Sequence, residues 1–283
     1  MAVLSLRQIK SRIKSIENIK KVTKAMEMVA VSKLRAAERD LGVARSYSAQ
    51  IERILKNLTT SFEGLNHPFF ASHDGKNGTA LLVISSDTGL CGSYNNTLFR
   101  HVDGYVREGG AVKVIPVGRK ATSYYRKKGA TGYPRFGEFR AKYSHDATRK
   151  ITQYLIDIFL KGEFGRISVA YMNFETAARF RPKVEELFPI SRSAGERFEY
   201  ITEPDPAALF EKLIPLFIEY KMKSVFLSAF AAEHSARAVS MGEATENAKD
   251  LLEQFVLQRN KVRQANITTE INEVVSGADA LKG

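Results

Sequence analysis

The residues with the most chemical promise lie in one short run, Ser85-Ser-Asp-Thr-Gly-Leu-Cys-Gly-Ser-Tyr-Asn95. It follows an apolar stretch, and glycines after a first strand let backbone amides approach an anion at a helix N-terminus. The spacing does not serve that chemistry. Gly89 and Gly92 do not make G-x-G-x-x-G. No G-x-x-x-x-G-K-[S/T] exists either, since Gly75-Lys76 is followed by Asn77 and Phe70 stands where the first glycine belongs. Cys91 is a nucleophile by type, but His67, His73, His101, His145 and His234 are scattered, and none forms a partner motif for it or a close-spaced pair for zinc. G-x-S-x-G is missing as well. A cysteine so placed reads as a small buried hydrophobe. No catalytic constellation is visible, and no cofactor or metal is expected.

The elements that must position this run alternate between strand and helix. Thr79-Ala-Leu-Leu-Val-Ile-Ser85 reads as a buried strand, followed by a helix near Asn95 to Arg107. A second strand at Val112–Val117, helices at Arg119–Lys128 and Thr148–Leu160, and a third strand at Arg166–Met172 come next. Repeated βαβ units imply a mainly parallel, Rossmann-like sheet, with Pro182 to Tyr200 adding an edge element. The ends of the chain speak differently. Leu6, Ile9, Ile13, Ile16, Ile19, Val22, Met26, Val29 and Leu34 recur at spacings of three and four, with one slip between Ile16 and Val22. The pattern continues to Leu58 without a proline, enough for a rod of about 75 Å. A second stripe runs from Leu213 to Val275 after Glu203-Pro-Asp-Pro206, where Asp205 can cap the helix and Pro206 suits its first position. Pro215 should kink or interrupt the first turns. The expected architecture is α/β: a long antiparallel coiled coil from residues 1–62 and 205–283, around a central Rossmann-like domain at 63–204. A less economical reading gives each rod a separate partner.

Composition sets the class. The chain has 283 residues, 44% apolar and 26% charged, which suits a folded globular protein and not a disordered one. Its longest clean apolar run, Ala80–Ile84, is far too short to span a bilayer, so a membrane role would be peripheral. One cysteine forbids an internal disulfide and suits a reducing compartment, and nothing at Met1 reads as a signal peptide. The net charge of +12 is concentrated in residues 1–60, which hold 13 basic and 5 acidic side chains. A solvated helix face explains this, and a grip on nucleic acid is the alternative.

Specific residues then carry a resemblance. Ile9-Lys-Ser-Arg-Ile-Lys-Ser-Ile-Glu-Asn-Ile-Lys-Lys-Val-Thr-Lys-Ala-Met-Glu-Met-Val-Ala-Val-Ser-Lys33 resembles the N-terminal helix of the γ subunits of F-type ATP synthases. Asp87-Thr-Gly-Leu-Cys-Gly92 resembles that family's central signature. Glu233–Met241, Ala244–Ala248, Arg263–Ile271 and Val275–Ala278 resemble its C-terminal helix. The resemblance implies a rotor shaft with no catalysis of its own. Its coiled coil would enter the α3β3 ring of α and β subunits, and its central domain would sit against ε and the c-ring. It would couple ion flow to ATP synthesis at the cytoplasmic face of a bacterial membrane, as part of the F1 sector. The resemblance also implies site residues: Met26 and Arg237 near the acidic lever loop of β, and Arg263, Gln264 and Thr268 at the catch loops of the ring. Tyr200 and Glu203 match positions at the polar loops of the c-ring, and His234 is expected to be packed in the shaft. Plastid members carry a regulatory cysteine pair; with Cys91 alone, thiol control of that kind is not expected. Two rival readings remain, a Rossmann-like nucleotide-binding protein and a basic coiled-coil nucleic-acid binder.

Overall fold

The computed structural model describes residues 5–61, 68–70, 78–129, 133, 134, 136, 138–190 and 205–280. The chain divides into two compact units, residues 1–29 with 238–283, and residues 30–237. Two long helices, α1 (Leu6–Ser61) and α5 (Pro206–Ala280), contribute to both.

In the first unit the two helices pair along polar as well as apolar contacts. Thr245 Oγ1 donates to Thr23 Oγ1 at 2.9 Å, and the Arg12 guanidinium lies 5.8 Å from the centre of the Phe255 ring. Lower numbers on α1 meet higher numbers on α5, so the pair is antiparallel, as expected. The seam on α1 is Ile9, Ile13, Ile16, Lys20, Thr23 and Glu27, a strict alternation of four and three residues, with Ile9 fully inside and Ile13 buried. Here the apolar count misleads. Ile19, Val22 and Val29, which the spacing put on the seam, are 54%, 58% and 55% exposed. Knobs-into-holes packing needs a 3.5-residue period, and once Ile9, Ile13 and Ile16 set its phase, Lys20 and Thr23 must turn inward. Lys20 can bury its stem and keep its charge in water, while Thr23 finds a hydroxyl partner. The supposed slip is therefore a second apolar face on the outside of the coil.

In the second unit, β1 (Thr79–Ile84), β2 (Val112–Val117), β3 (Arg166–Thr176) and β4 (Arg179–Phe188) form one sheet in the order β2-β1-β3-β4. β1 runs parallel to β2 and β3, while β4 turns back antiparallel along β3 as an edge that begins at Arg179, before the expected Pro182; residues 191–200 of the expected edge lie outside the described residues. Prolines confirm the edges: Pro116 and Pro182, which cannot donate to a ladder, sit on the two outer strands. Helices α2 (Tyr94–Glu108) and α3 (Arg119–Arg126) cover one face, and α4 (His145–Leu160) the other. Alternate residues of β1 feed the two cores. Ala80, Leu82 and Ile84 join α4 with Ile51 and Leu55 of α1 and Phe226 of α5, whereas Leu81 and Val83 join α2 with Leu41 of α1 and Ala231 of α5. Both long helices are thus built into the domain on both faces of the sheet.

Asp205 caps α5 through its carboxylate, which accepts from the Ala208 N–H at 3.1 Å. Pro215 does not interrupt the helix. Its missing N–H frees the carbonyl of Glu211, and both residues are exposed, so water can serve that carbonyl. Phe210, Ile214, Phe217 and Ile218 are buried in the same turns, and this packing outweighs the proline's cost of about 3 kcal/mol.

Candidate functional site

The run Ser85–Asn95 lies in the second unit, where β1 ends and α2 begins. Its buried anion is its own. Asp87, 3% exposed, accepts the Arg119 N–H on Oδ1 at 2.9 Å and the Arg140 N–H on Oδ2 at 2.6 Å. Arg119 leads α3, so a carboxylate already caps the helix start beyond β2 and stabilises its positive end. The Arg119 side chain returns the contact, donating from Nε to the Asp87 carbonyl at 3.0 Å. Ser85 Oγ accepts the Ala121 N–H at 2.7 Å, and Lys120 N–H donates to the Ser86 carbonyl. A phosphate brought here would meet a fixed negative charge and amides already engaged.

Cys91 is buried, and burial pushes its thiol up, although Ser86 and Arg237 pull the other way. A thiol raised in this way is a poor nucleophile. Asn95 Nδ2 donates to Ser86 Oγ at 2.8 Å and to Cys91 Sγ at 3.4 Å, so the cysteine serves as packing and a weak acceptor. Among the described residues no cluster of His, Cys, Asp or Glu could hold a metal ion, and no helix is long and apolar enough to cross a membrane.

The outer part of the loop is held by α5. Arg237 Nη2 donates to Glu233 Oε1 at 2.6 Å, to Thr88 Oγ1 at 2.9 Å and to the Gly89 carbonyl at 3.4 Å. The Arg237 side chain is 11% exposed and that of Glu233 2%. Burial raises the Glu233 carboxyl, opposed by the guanidinium beside it. His234, next along the helix, packs against the central domain, with Nε2 2.9 Å from the Ala141 carbonyl. That acceptor makes Nε2 the protonated nitrogen of a neutral ring. Arg140 and Ala141 both have positive φ, 49° and 52°, so Asp87 and His234 pin two residues of an uncommon left-handed segment.

His234 gives a pH prediction. Burial, with smaller contributions from Arg237 and Lys33, lowers it from 6.5 to about 4. The unfolded chain then binds a proton that the folded chain refuses between pH 6.5 and 4, so stability is lost as pH falls through that window. The difference corresponds to about 3 kcal/mol. Glu233, raised, acts with the opposite sign, and comparison with a variant separates the two. His234→Gln, whose amide can donate to Ala141, should melt with a shallower dependence between pH 6.5 and 4 than the parent. Parallel melting curves would contradict the assignment.

The other site candidates are dispersed. Met26 is half-buried on α1 of the first unit, one residue from the seam position Glu27. Arg263, Gln264 and Thr268 are all exposed on α5, and Thr268 Oγ1 donates to the Gln264 carbonyl at 3.0 Å. Counting from the pairs Thr23–Thr245 and Arg12–Phe255, position 263 lies opposite about residue 5, where α1 is only beginning. The remaining turns carry Ile267, Ile271, Val274 and Val275, between 46% and 72% exposed. Tyr200 and Glu203 lie outside the described residues. The outer faces, Ile19, Val22 and Val29 on α1 and Ile267 onward on α5, were missed from the sequence; a strict heptad count from Ile9 would have found the first.

Comparison with known proteins bears on all of this. Residues 5–281 match the protein family described as ATP synthase. The ATP synthase gamma chain of Moorella thermoacetica is 35% identical over 280 residues, covering 98% of this chain and 99% of that one. That of Clostridium botulinum is 34% identical over 283 residues and the whole of both. Among solved structures, a chain of the Euglena gracilis mitochondrial ATP synthase assembly of OSCP, F1 and c-ring superposes with a TM-score of 0.68 at 17% identity. It covers 98% of this chain and 94% of that one. A chain of the Tetrahymena thermophila mitochondrial ATP synthase central stalk and c-ring gives 0.62 at 21%, covering 79% and 99%. At these identities the two structures speak for the fold.

Proposed function

The chain belongs to the ATP synthase gamma-chain family, and from that membership we infer how its parts work as the central rotor shaft of the complex. It is a subunit of the F1 sector of a membrane-bound rotary machine. In our reading the paired helices of the first unit turn inside the ring of α and β subunits, with Met26, Arg263, Gln264 and Thr268 facing it. The central domain faces ε and the c-ring, with Tyr200 and Glu203 near the c-ring loops. The chain itself performs no chemistry; ion flow turns it, and its asymmetry drives the catalytic sites through their cycle, at the cytoplasmic face of a bacterial membrane.

The observation that carries this reading is the apolar surface of the first unit. A coiled coil that had satisfied itself would leave polar residues outward, yet Ile19, Val22 and Val29 form an outer stripe, and Ile267, Ile271, Val274 and Val275 another. Apolar faces at helical spacing fit an enclosing apolar bearing, in which close packing without fixed polar bonds allows rotation. The nucleotide-binding alternative is disfavoured by Asp87, a buried carboxylate at the end of β1 that already occupies the start of α3, and by the lack of a phosphate-binding glycine motif before α2. The nucleic-acid alternative predicts retardation of duplex DNA with steep salt dependence, which we do not expect above nonspecific levels.

Met26→Lys tests the reading. A cation introduced beside an acidic lever of β would add an ion pair to be broken at each turn, a contact worth roughly 1.5–3 kcal/mol. In vesicles carrying the whole complex, ATP hydrolysis should stay within about twofold while ion pumping falls about threefold or more. Equal pumping by variant and parent would count against a ring-facing Met26.

A further inference from the structure

Arg237 is spent inside its own unit. Its guanidinium is nearly covered, pairs with the buried Glu233 four residues earlier on α5, and offers the same Nη2 to Thr88 and Gly89. The far side of the same loop is held by different means: Ser86 Oγ donates to the Thr88 carbonyl at 2.8 Å, and Asp87 is locked to Arg119 and Arg140. Thr88 and Leu90 remain exposed, and Leu90 has a positive φ of 60°. The loop tip is thus an outward-facing segment whose side-chain tie to the long helix, among the described residues, runs through one arginine. A buried carboxylate beneath fixes that arginine, since a charge pair in an apolar setting holds its geometry more tightly than a surface pair.

We propose that Arg237 is a positioning residue for torque transfer, fastening the exposed tip of the loop at the end of β1 to α5, whose own turns are already packed into both cores, so that the tip keeps its place under load. This rests on the rotor reading, and it gives Arg237 a role through Thr88 and Gly89 in place of direct contact with the ring. Fastening matters when the ion gradient resists rotation. Without a gradient a slack loop costs the motor little, because hydrolysis is then limited by the ring.

The test uses the whole complex in sealed vesicles, measuring ATP hydrolysis with the gradient collapsed and ion pumping per ATP with the gradient present. Thr88→Val removes the hydroxyl and keeps the Arg237–Glu233 pair, so folding is spared. Pumping per ATP should fall about threefold, with uncoupled hydrolysis within about twofold, and Arg237→Lys should fall in the same direction. Combining the two should do no more harm than the worse single change, because both cut one connection. Amide exchange in the full chain adds a readout independent of rotation: exchange at Tyr94, whose N–H donates to the Cys91 carbonyl at 3.2 Å, should quicken about tenfold or more in Thr88→Val, while that of the buried turns of α5 stays unchanged. Pumping equal to the parent, hydrolysis and pumping falling together, or unchanged exchange would each overturn the proposal. A parent chain that supports no pumping would instead overturn the rotor reading, leaving the exchange result to judge the fastening alone.

Discussion

Gly118→Ala should destabilise the chain by about 4 kcal/mol or more, lowering its melting temperature by roughly 8–16 °C, because two penalties fall on one atom. Gly118 has φ 90° and ψ 146°, a region essentially closed to residues with a Cβ. A Cβ there would also stand 2.3 Å from the Ser85 carbonyl oxygen and 2.8 Å from its hydroxyl. Neither atom can move freely. Ser85 Oγ accepts from Ala121 N–H and donates to the Val117 carbonyl, and Ser85 N–H is bonded to Val117 as well. Relief would have to separate β1 from the start of α3, taking Asp87 off Arg119. Gly110 supplies the control: its φ is also positive, 71°, but nothing lies within 4 Å of its Cβ position. Gly110→Ala should therefore cost only about 1 kcal/mol, the conformational penalty alone. Thermal melts of the two full-length variants decide the matter, and equal losses would mean that the crossing at Ser85 is not tight.

The same contrast explains what the sequence disclosed. The strands and helices of the central domain were legible because each depends on its own neighbours: five consecutive buried residues in Ala80–Ile84, a 3.6-residue period in α2, a capping serine at the start of α4. That cap, Ser144 accepting from Ala147 N–H, lies four residues before the expected start at Thr148. The rods were legible for the same reason, yet their seam was not. Choosing between Ile19 and Lys20 requires holding the 3.5-residue phase that Ile9, Ile13 and Ile16 set, against an apolar count that points the wrong way when the coil buries a lysine stem and a threonine. The site lay further from view. The motif Asp87–Gly92 is conspicuous in the sequence, but its bonds run to Arg119, Arg140 and Arg237, which are 32, 53 and 149 residues from the atoms they meet. Local pattern carries no trace of contacts at such separations, so family resemblance could mark the loop without saying what holds it.

Arg263→Ala combined with Gln264→Ala should leave folding within about 0.5 kcal/mol of the parent and yet cut turnover of the rebuilt α3β3 complex about tenfold or more. The first half follows from position. Adjacent residues on a helix point about 100 degrees apart, so both could not share a seam, and in the structure both are exposed. The antiparallel register brings them level with the start of α1, and alanine is at least as good a helix former as either. The second half follows from their chemistry. An arginine fork and a primary amide, side by side on a helix otherwise bearing Ile267 and Ile271, can bond to carboxylates or carbonyls of a surrounding ring at particular rotary angles. Those bonds would favour selected angles of the shaft, and one charge-assisted contact of roughly 1.5–3 kcal/mol corresponds to tenfold or more in the population of an angle. ATPase activity of the reconstituted complex, measured beside a thermal melt of the chain alone, separates the possibilities. Full activity would make the two side chains ordinary solvated surface, and a collapsed melt would mean that they serve the helix. A normal melt with lost turnover requires a partner that the free chain lacks, which is the condition a shaft inside a ring meets and a self-sufficient coiled coil does not.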